Sequence, residues 1–248
     1  MDTYVLIYLF ALLFNWLLYA LAYFLQTDKI TDISYALTFT AISIYAFFGS
    51  AKTVIDTVLL LLVVLWAMRL GAYLLYRVVR IGHDDRFNEI RKNPLSFFAF
   101  WTLQGITCAT VSLSYLGSMD NDEKEITSFF ILGIGMAILG LFIESIADYQ
   151  KFVFKLKTPK AFMNAGLWKT LRHPNYMGEL LFWWGILISC ISYQNTWVAL
   201  LGPLWITLLL TKVSGIPILE REWAKKYGQD KSFQDYKEKS WRLIPYIY

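Results

Sequence analysis

The chain has 248 residues, 57% hydrophobic and 18% aromatic, with a mean hydropathy of +0.45 and a formal net charge of +4. Carried by several long apolar runs, that balance excludes an ordinary soluble domain and places the chain among all-α, multi-pass integral membrane proteins. The only histidines, His83 and His173, exclude a multi-histidine metal centre, and no metal site is expected. Cys108 and Cys190 fall inside apolar runs without ligand spacing and read as small core residues.

Tyr4 to Leu25 is long enough to span. Asp2 and the length of the run favour a spanning helix over a cleaved signal, despite Ala20-Leu21-Ala22. Further spans are expected over Ile33 to Phe48, Val54 to Tyr76, Leu95 to Leu116, Ile126 to Ile146, Tyr176 to Ile191 and Trp197 to Val213, about seven in all. Cations gather after the third span (Arg77, Arg80, Arg86, Arg91, Lys92), after the fifth (Lys151 to Arg172) and in the tail (Arg221 to Arg242). Ser118 to Glu125 is acidic and Ser192 to Thr196 uncharged. An odd number of spans puts all the basic segments on one side, with the N-terminus outside and the C-terminus cytoplasmic. With no internal repeat or low-complexity tract, residues 1–248 read as a single membrane-embedded domain.

Polar residues inside or beside these runs carry the functional signal. Arg69 lies within the third span, where an arginine needs a partner, a wet cavity or a route to snorkel toward the interface. Gly82 to Phe87, with His83, Asp84, Asp85 and Arg86, reads as a self-paired loop or a cofactor contact. Gln104 in the fourth span reads as an interhelical tie, and Asp32 as part of a helix cap with Thr31. Glu144 and Asp148 share one face of the fifth span. Gly166 to Glu179 then packs polar and aromatic groups against the sixth span. Pro174 suits a first helical turn, its N–H groups together with Arg172 and His173 make an anion seat, and Asn175 and Glu179 share a face. Ser214 to Arg221 opens the tail, followed by a short amphipathic helix ending at Gly228.

Several of these pieces occur together in one family. Leu65-Trp66-Ala67-Met68-Arg69-Leu70-Gly71, Asp84-Asp85-Arg86-Phe87, Phe100-Trp101-Thr102-Leu103-Gln104, Ala147-Asp148-Tyr149-Gln150, Gly166-Leu167-Trp168 and Arg172 to Glu179 resemble the steroid 5-alpha-reductase C-terminal family. The likeness is to its bacterial-type branch, catalogued as domain of unknown function 1295. With Ser214-Gly215-Ile216-Pro217, Leu219-Glu220, Tyr236 and Pro245 it covers about residues 65–245.

The resemblance implies seven membrane helices around cofactor and substrate, in the bacterial cytoplasmic membrane. It implies an oxidoreductase that uses NADPH to reduce a C=C bond conjugated to a carbonyl in a sterol-like or other lipid, with no nucleic-acid partner. By motif match, Arg69, Asp148, Arg172, His173, Asn175, Tyr176 and Glu179 would hold the cofactor, and Asp32 and Gln104 are the candidate substrate-binding residues. The family's glutamine–glutamate pair is missing from the first two spans, and Trp66 stands at its tyrosine position. An indole donates a hydrogen bond but supplies no proton, so Tyr73, Tyr176 or water is left as the acid. The Arg172 to Glu179 block is also shared with membrane methyltransferases such as isoprenylcysteine carboxyl methyltransferase, so a methyltransferase using S-adenosylmethionine is the alternative.

Overall fold

The computed structural model describes residues 3–27, 30–81 and 93–245, with the backbone alone at 32 and 77–81. The Gly82 to Phe87 loop and the side chains of Asp32 and Arg77 lie outside the described residues. Ten α-helices follow one another among the described residues: α1 (Thr3–Phe24), α2 (Thr31–Gly49), α3 (Val54–Ile81), α4 (Pro94–Met119), α5 (Ser128–Lys157), α6 (Pro174–Cys190), α7 (Thr196–Ala199), α8 (Leu201–Leu208), α9 (Ile216–Tyr227) and α10 (Lys231–Lys239). A 3-10 turn at Gly166–Lys169 precedes α6, and a π segment at Leu209–Val213 continues α8.

Five stretches are long and apolar enough to cross a membrane: Thr3–Phe24, Val54–Tyr76, Pro94–Met119, Ser128–Lys157 and Thr196–Tyr227. The second and sixth expected spans form helices too, but shorter ones: an apolar Ile33–Gly49 within α2, and α6 with 17 residues. The fifth helix runs past its expected end at Ile146 to Lys157, because nothing from Glu144 to Lys157 breaks a helix. The seventh expected run ends where predicted, in the π segment, and α9 restarts at Ile216 with Pro217 in its first turn.

The chain divides into two compact units. The first comprises Met1–Phe130 with Cys190–Gly202, the second Ile131–Ser189 with Pro203–Tyr248. In the first unit α1 packs on α2 and α4, and α2 on α3. Apolar side chains alone give such helices little reason to associate in lipid, and here hydrogen bonds supply it. Gln104 donates through Nε2 to Asn15 Oδ1 (2.9 Å), Thr31 O (3.2 Å) and Ser34 Oγ (2.5 Å), tying α4 to α1 and α2. Asn15 in turn donates to Thr38 Oγ1 at 3.2 Å, and Trp16 Nε1 to Thr102 Oγ1 at 2.9 Å. Gln104 is thus an interhelical tie, and its amide nitrogen is committed to protein. Helix α2 starts at Thr31 with Ile30 at the cap position, and the Asp32 side chain of the expected cap lies outside the described residues.

In the second unit, α5 and α6 run antiparallel in backbone contact. Gly133 and Gly140 on α5 face Gly185 and Gly178 on α6. A Cβ added at Gly178 would sit 2.6 Å from both Glu144 N and Gly140 O, and one at Gly140 2.5 Å from Gly178 O and Phe182 N. Only glycine lets the two backbones approach so closely. Gly178→Ala is therefore expected to part the helices and lower stability by about 1–3 kcal/mol, as overpacking does. Gly135, with nothing within 4 Å of its added Cβ, is the control. Thermal unfolding should leave Gly135→Ala unchanged or slightly stabilised. A Gly178→Ala midpoint equal to that of the control would refute the close crossing.

Candidate functional site

Beyond the glycine crossing, the inner face of α5 carries two carboxylates. Glu144 and Asp148 are 3% and 6% exposed, and the backbone nitrogen and Cβ of Glu144 lie against Gly178. The first turns of α6 carry Asn175, Tyr176 and Glu179, all half-buried, at the same end of the pair. Three acids and an amide therefore share one end of an apolar helix pair. Carboxylates are expensive to keep in such surroundings and normally mark function.

The segment leading into α6 is fastened to α5. Gly166 adopts a left-handed φ of +59°, which lets Leu167 N donate to Gln150 Oε1 at 2.9 Å. Trp168 is fully buried and donates Nε1 to Ala147 O at 2.9 Å, packing with Met163, Leu167 and Trp223. Lys151 Nζ sits 4.6 Å from the centre of the Trp168 ring and 5.8 Å from that of Trp223, cation over aromatic face.

Arg172 does not stand open at the mouth of α6. It is 5% exposed, donating Nε to Glu220 Oε1 (2.8 Å) and Nη1 to Lys237 O (2.7 Å) and Ser240 O (2.9 Å). The expected anion seat is roofed by the C-terminal strap. A parallel bridge pairs Leu171 with Trp241, Arg172 N donates to Trp241 O (2.8 Å), and His173 N to Arg242 O (3.1 Å). The N–H groups just before Pro174 are satisfied by the protein itself.

His173 is completely buried and stacked between Tyr176 (centroids 5.7 Å apart) and Trp223 (5.1 Å). Its Nε2 faces Glu220 Oε1 at 3.2 Å, while Nδ1 has no hydrogen-bond partner among the described residues. Burial lowers the imidazole pKa below its usual value, opposed by the Glu220 hydrogen bond and charge. A neutral ring facing a carboxylate carries its proton on Nε2. Tyr236 closes the strap by donating to Trp168 O at 2.6 Å, and burial pushes its phenol up to about 12.

The remaining candidates belong to the first unit. Trp66 is fully buried in a T-shaped contact with Phe39 at 5.2 Å, and Arg69 and Tyr73 are half-buried on the same helix. Six of the seven cofactor candidates thus fall at one end of the second unit, whereas Arg69, Trp66, Tyr73 and Gln104 lie in the first.

Set in this all-helical frame, the chain can be compared with known proteins. The family model described as protein of unknown function (DUF1295) matches residues 18–240. The chain belongs to the DUF1295 family. No curated protein and no solved structure gives a significant match to it.

Within the DUF1295 match, three features escaped sequence reading. Glu220 reads as the start of an amphipathic helix, yet its carboxylate holds both Arg172 and His173. Trp223, which carries no signal of its own in the sequence, stacks on His173. Asp56 and Lys124 form a fully buried ion pair in the first unit, with both side chains 0% exposed. The only sequence signal for that pair is a lone lysine in an acidic loop.

Proposed function

We propose that this DUF1295 protein is a membrane oxidoreductase that uses NADPH to reduce a C=C bond conjugated to a carbonyl in a lipid. The observation that carries the reading is the set of buried Glu144 and Asp148 on α5 beside Asn175 and Glu179 on α6. The steroid 5-alpha-reductase resemblance adds Arg69 and points to the bacterial cytoplasmic membrane. The residues fit a dinucleotide in part. Carboxylates and an amide accept from ribose hydroxyls and pair with a carboxamide. Arg172 is already paired with Glu220, so it contributes position rather than free charge. Bound NADPH would supply a hydride to the β-carbon of the enone. The chain's part is to orient the cofactor through Asp148, Asn175 and Glu179, to exclude water with Trp168 and Trp223, and to polarise the substrate carbonyl with a donor. Trp66, Tyr73 and Tyr176 are the candidates for that donor.

A second reading rests on the same paired arginine. Arg172 is held by Glu220 and offers less free charge to a phosphate, and carboxylates such as Glu144 and Asp148 suit the sulfonium of S-adenosylmethionine. Thermal unfolding in detergent separates the two. NADPH at a hundred times its dissociation constant should stabilise the protein by about 2.7 kcal/mol. NADH should do less, S-adenosylmethionine little, and Asp148→Asn should remove the response. A shift with S-adenosylmethionine and none with NADPH would replace the reductase by the methyltransferase.

The reading includes a topology of seven spans, with α2 and α6 as the short ones, the N-terminus outside and the C-terminus cytoplasmic. It is supported by the cations at Lys151 to Arg172 and in the tail, against the acidic Ser118 to Glu125 loop. Single cysteines placed at Asp120, Lys157 or Lys231, with Cys108 and Cys190 removed, report it. Only the first should react with an impermeant label from outside, and outside labelling at Lys157 would sink the arrangement.

A further inference from the structure

Helix α5 has 30 residues and is therefore about 45 Å long, the full depth of a bilayer with its headgroups. Its last turn, with Lys155 and Lys157, reaches headgroup level. The segment entering α6 is fastened to the same half of α5 by the bonds of Leu167 and Trp168 to Gln150 and Ala147, about two to three turns before Lys157. The strap is held there too, since Trp241 N donates to Thr170 O at 3.0 Å and Lys237 O accepts from Arg172. Thr170 directly follows Lys169, and Trp241 lies just past Lys237 and Lys239, so the bonded residues flank these three lysines in the chain.

All three lysines are exposed, and none is paired with a carboxylate among the described residues. Exposed Asp235 and Glu238 are the acids of α10, and no acid occurs from Lys151 to Gly178. Leu156, between Lys155 and Lys157 on α5, and Ile244, just past Arg242 in the strap, are exposed apolar groups (57% and 41%). Main-chain bonds thus tie the segments that carry these like charges to one another, in the half of the second unit where α5 ends with Lys155 and Lys157.

We propose that Lys169, Lys237 and Lys239 form a docking edge for the phosphate headgroups of anionic lipids. The edge is independent of the cofactor reading, because none of the three belongs to that site. Each cation near an anionic surface contributes roughly fivefold in affinity, so removing three should cost about a hundredfold.

The test uses the full-length protein in mixed micelles of phosphatidylcholine and phosphatidylglycerol, with retained lipid identified by native mass spectrometry. Phosphatidylglycerol should be enriched on the wild type and lost from K169Q/K237Q/K239Q, whose folding is checked by circular dichroism. High salt should strip the enrichment from the wild type, because surface charges are screened. Should the triple variant not fold, K237Q/K239Q, confined to the exposed end of α10, takes its place, and undiminished enrichment on it overturns the proposal. Undiminished enrichment on the folded variant, or in high salt, overturns the proposal. Displacement by inorganic phosphate at matched concentration overturns it as well, in favour of a soluble anion.

Discussion

Arg172→Ala is expected to destabilise the protein by about 3–5 kcal/mol and to release the C-terminal strap, because it breaks a buried ion pair from one side. The side chains of Arg172 and Glu220 are 6% and 14% exposed, so solvent does little to replace the lost partner. The Glu220 carboxylate would then face only His173, whose buried ring resists protonation. The carbonyls of Lys237 and Ser240 would lose their donor at the same time. A surface pair would instead be worth at most about 1 kcal/mol. Arg172→Lys should recover only part of the loss, since an ammonium cannot reproduce a fork aimed in two directions. Thermal unfolding, combined with tryptic cleavage after Lys237 and Lys239, reads both effects. If Arg172→Ala leaves the tail as resistant as in the wild type, the arginine does not hold the strap.

Breaking the Asp56–Lys124 pair should cost about as much, and the cost should largely vanish when both charges go. Asp56 Oδ2 accepts from Thr53 N and Oγ1, each at 2.9 Å, while Thr53 Oγ1 accepts from Asp56 N at 3.2 Å. This reciprocal box starts α3, and Lys124 meets the other carboxylate oxygen with both side chains at 0% exposure. Lys124→Met leaves a buried carboxylate alone, and Asp56→Asn leaves a buried ammonium alone. Each single change should cost about 3–5 kcal/mol. Asp56→Asn with Lys124→Met keeps an acceptor for the box, removes both charges and should restore most of the stability. A coupling energy within about 0.5 kcal/mol of zero would show that the two groups do not interact.

Local features were legible in the chain. Pro174 opens α6, as a residue without an N–H does at the first turn. The fourth span, expected from Leu95, opens one residue earlier at Pro94, capped by Asn93. The amphipathic tail helix ends at Gly228 as expected, and Gln104 proved to be the tie that a buried amide in a bundle implies. Arg172 was misplaced at an open helix mouth because nothing within a turn of it names a partner. Its carboxylate comes from Glu220 and its carbonyl acceptors from Lys237 and Ser240, all beyond the span that follows it.

By itself the sequence determined the all-helical class of the protein, its long apolar helices, the start of α6 at Pro174 and the end of the tail helix at Gly228. Each of these depends on residues a few positions apart, so the energy that decides them is local. Only the tertiary structure decided that Gly140 and Gly178 are contact points, that His173 is stacked on Trp223, and that Thr170 is bonded to Trp241. A glycine, a histidine or a threonine is compatible with many neighbours. Which neighbour it meets is set by backbone contact and hydrogen bonding between distant segments, and hydrophobic periodicity carries no record of that pairing.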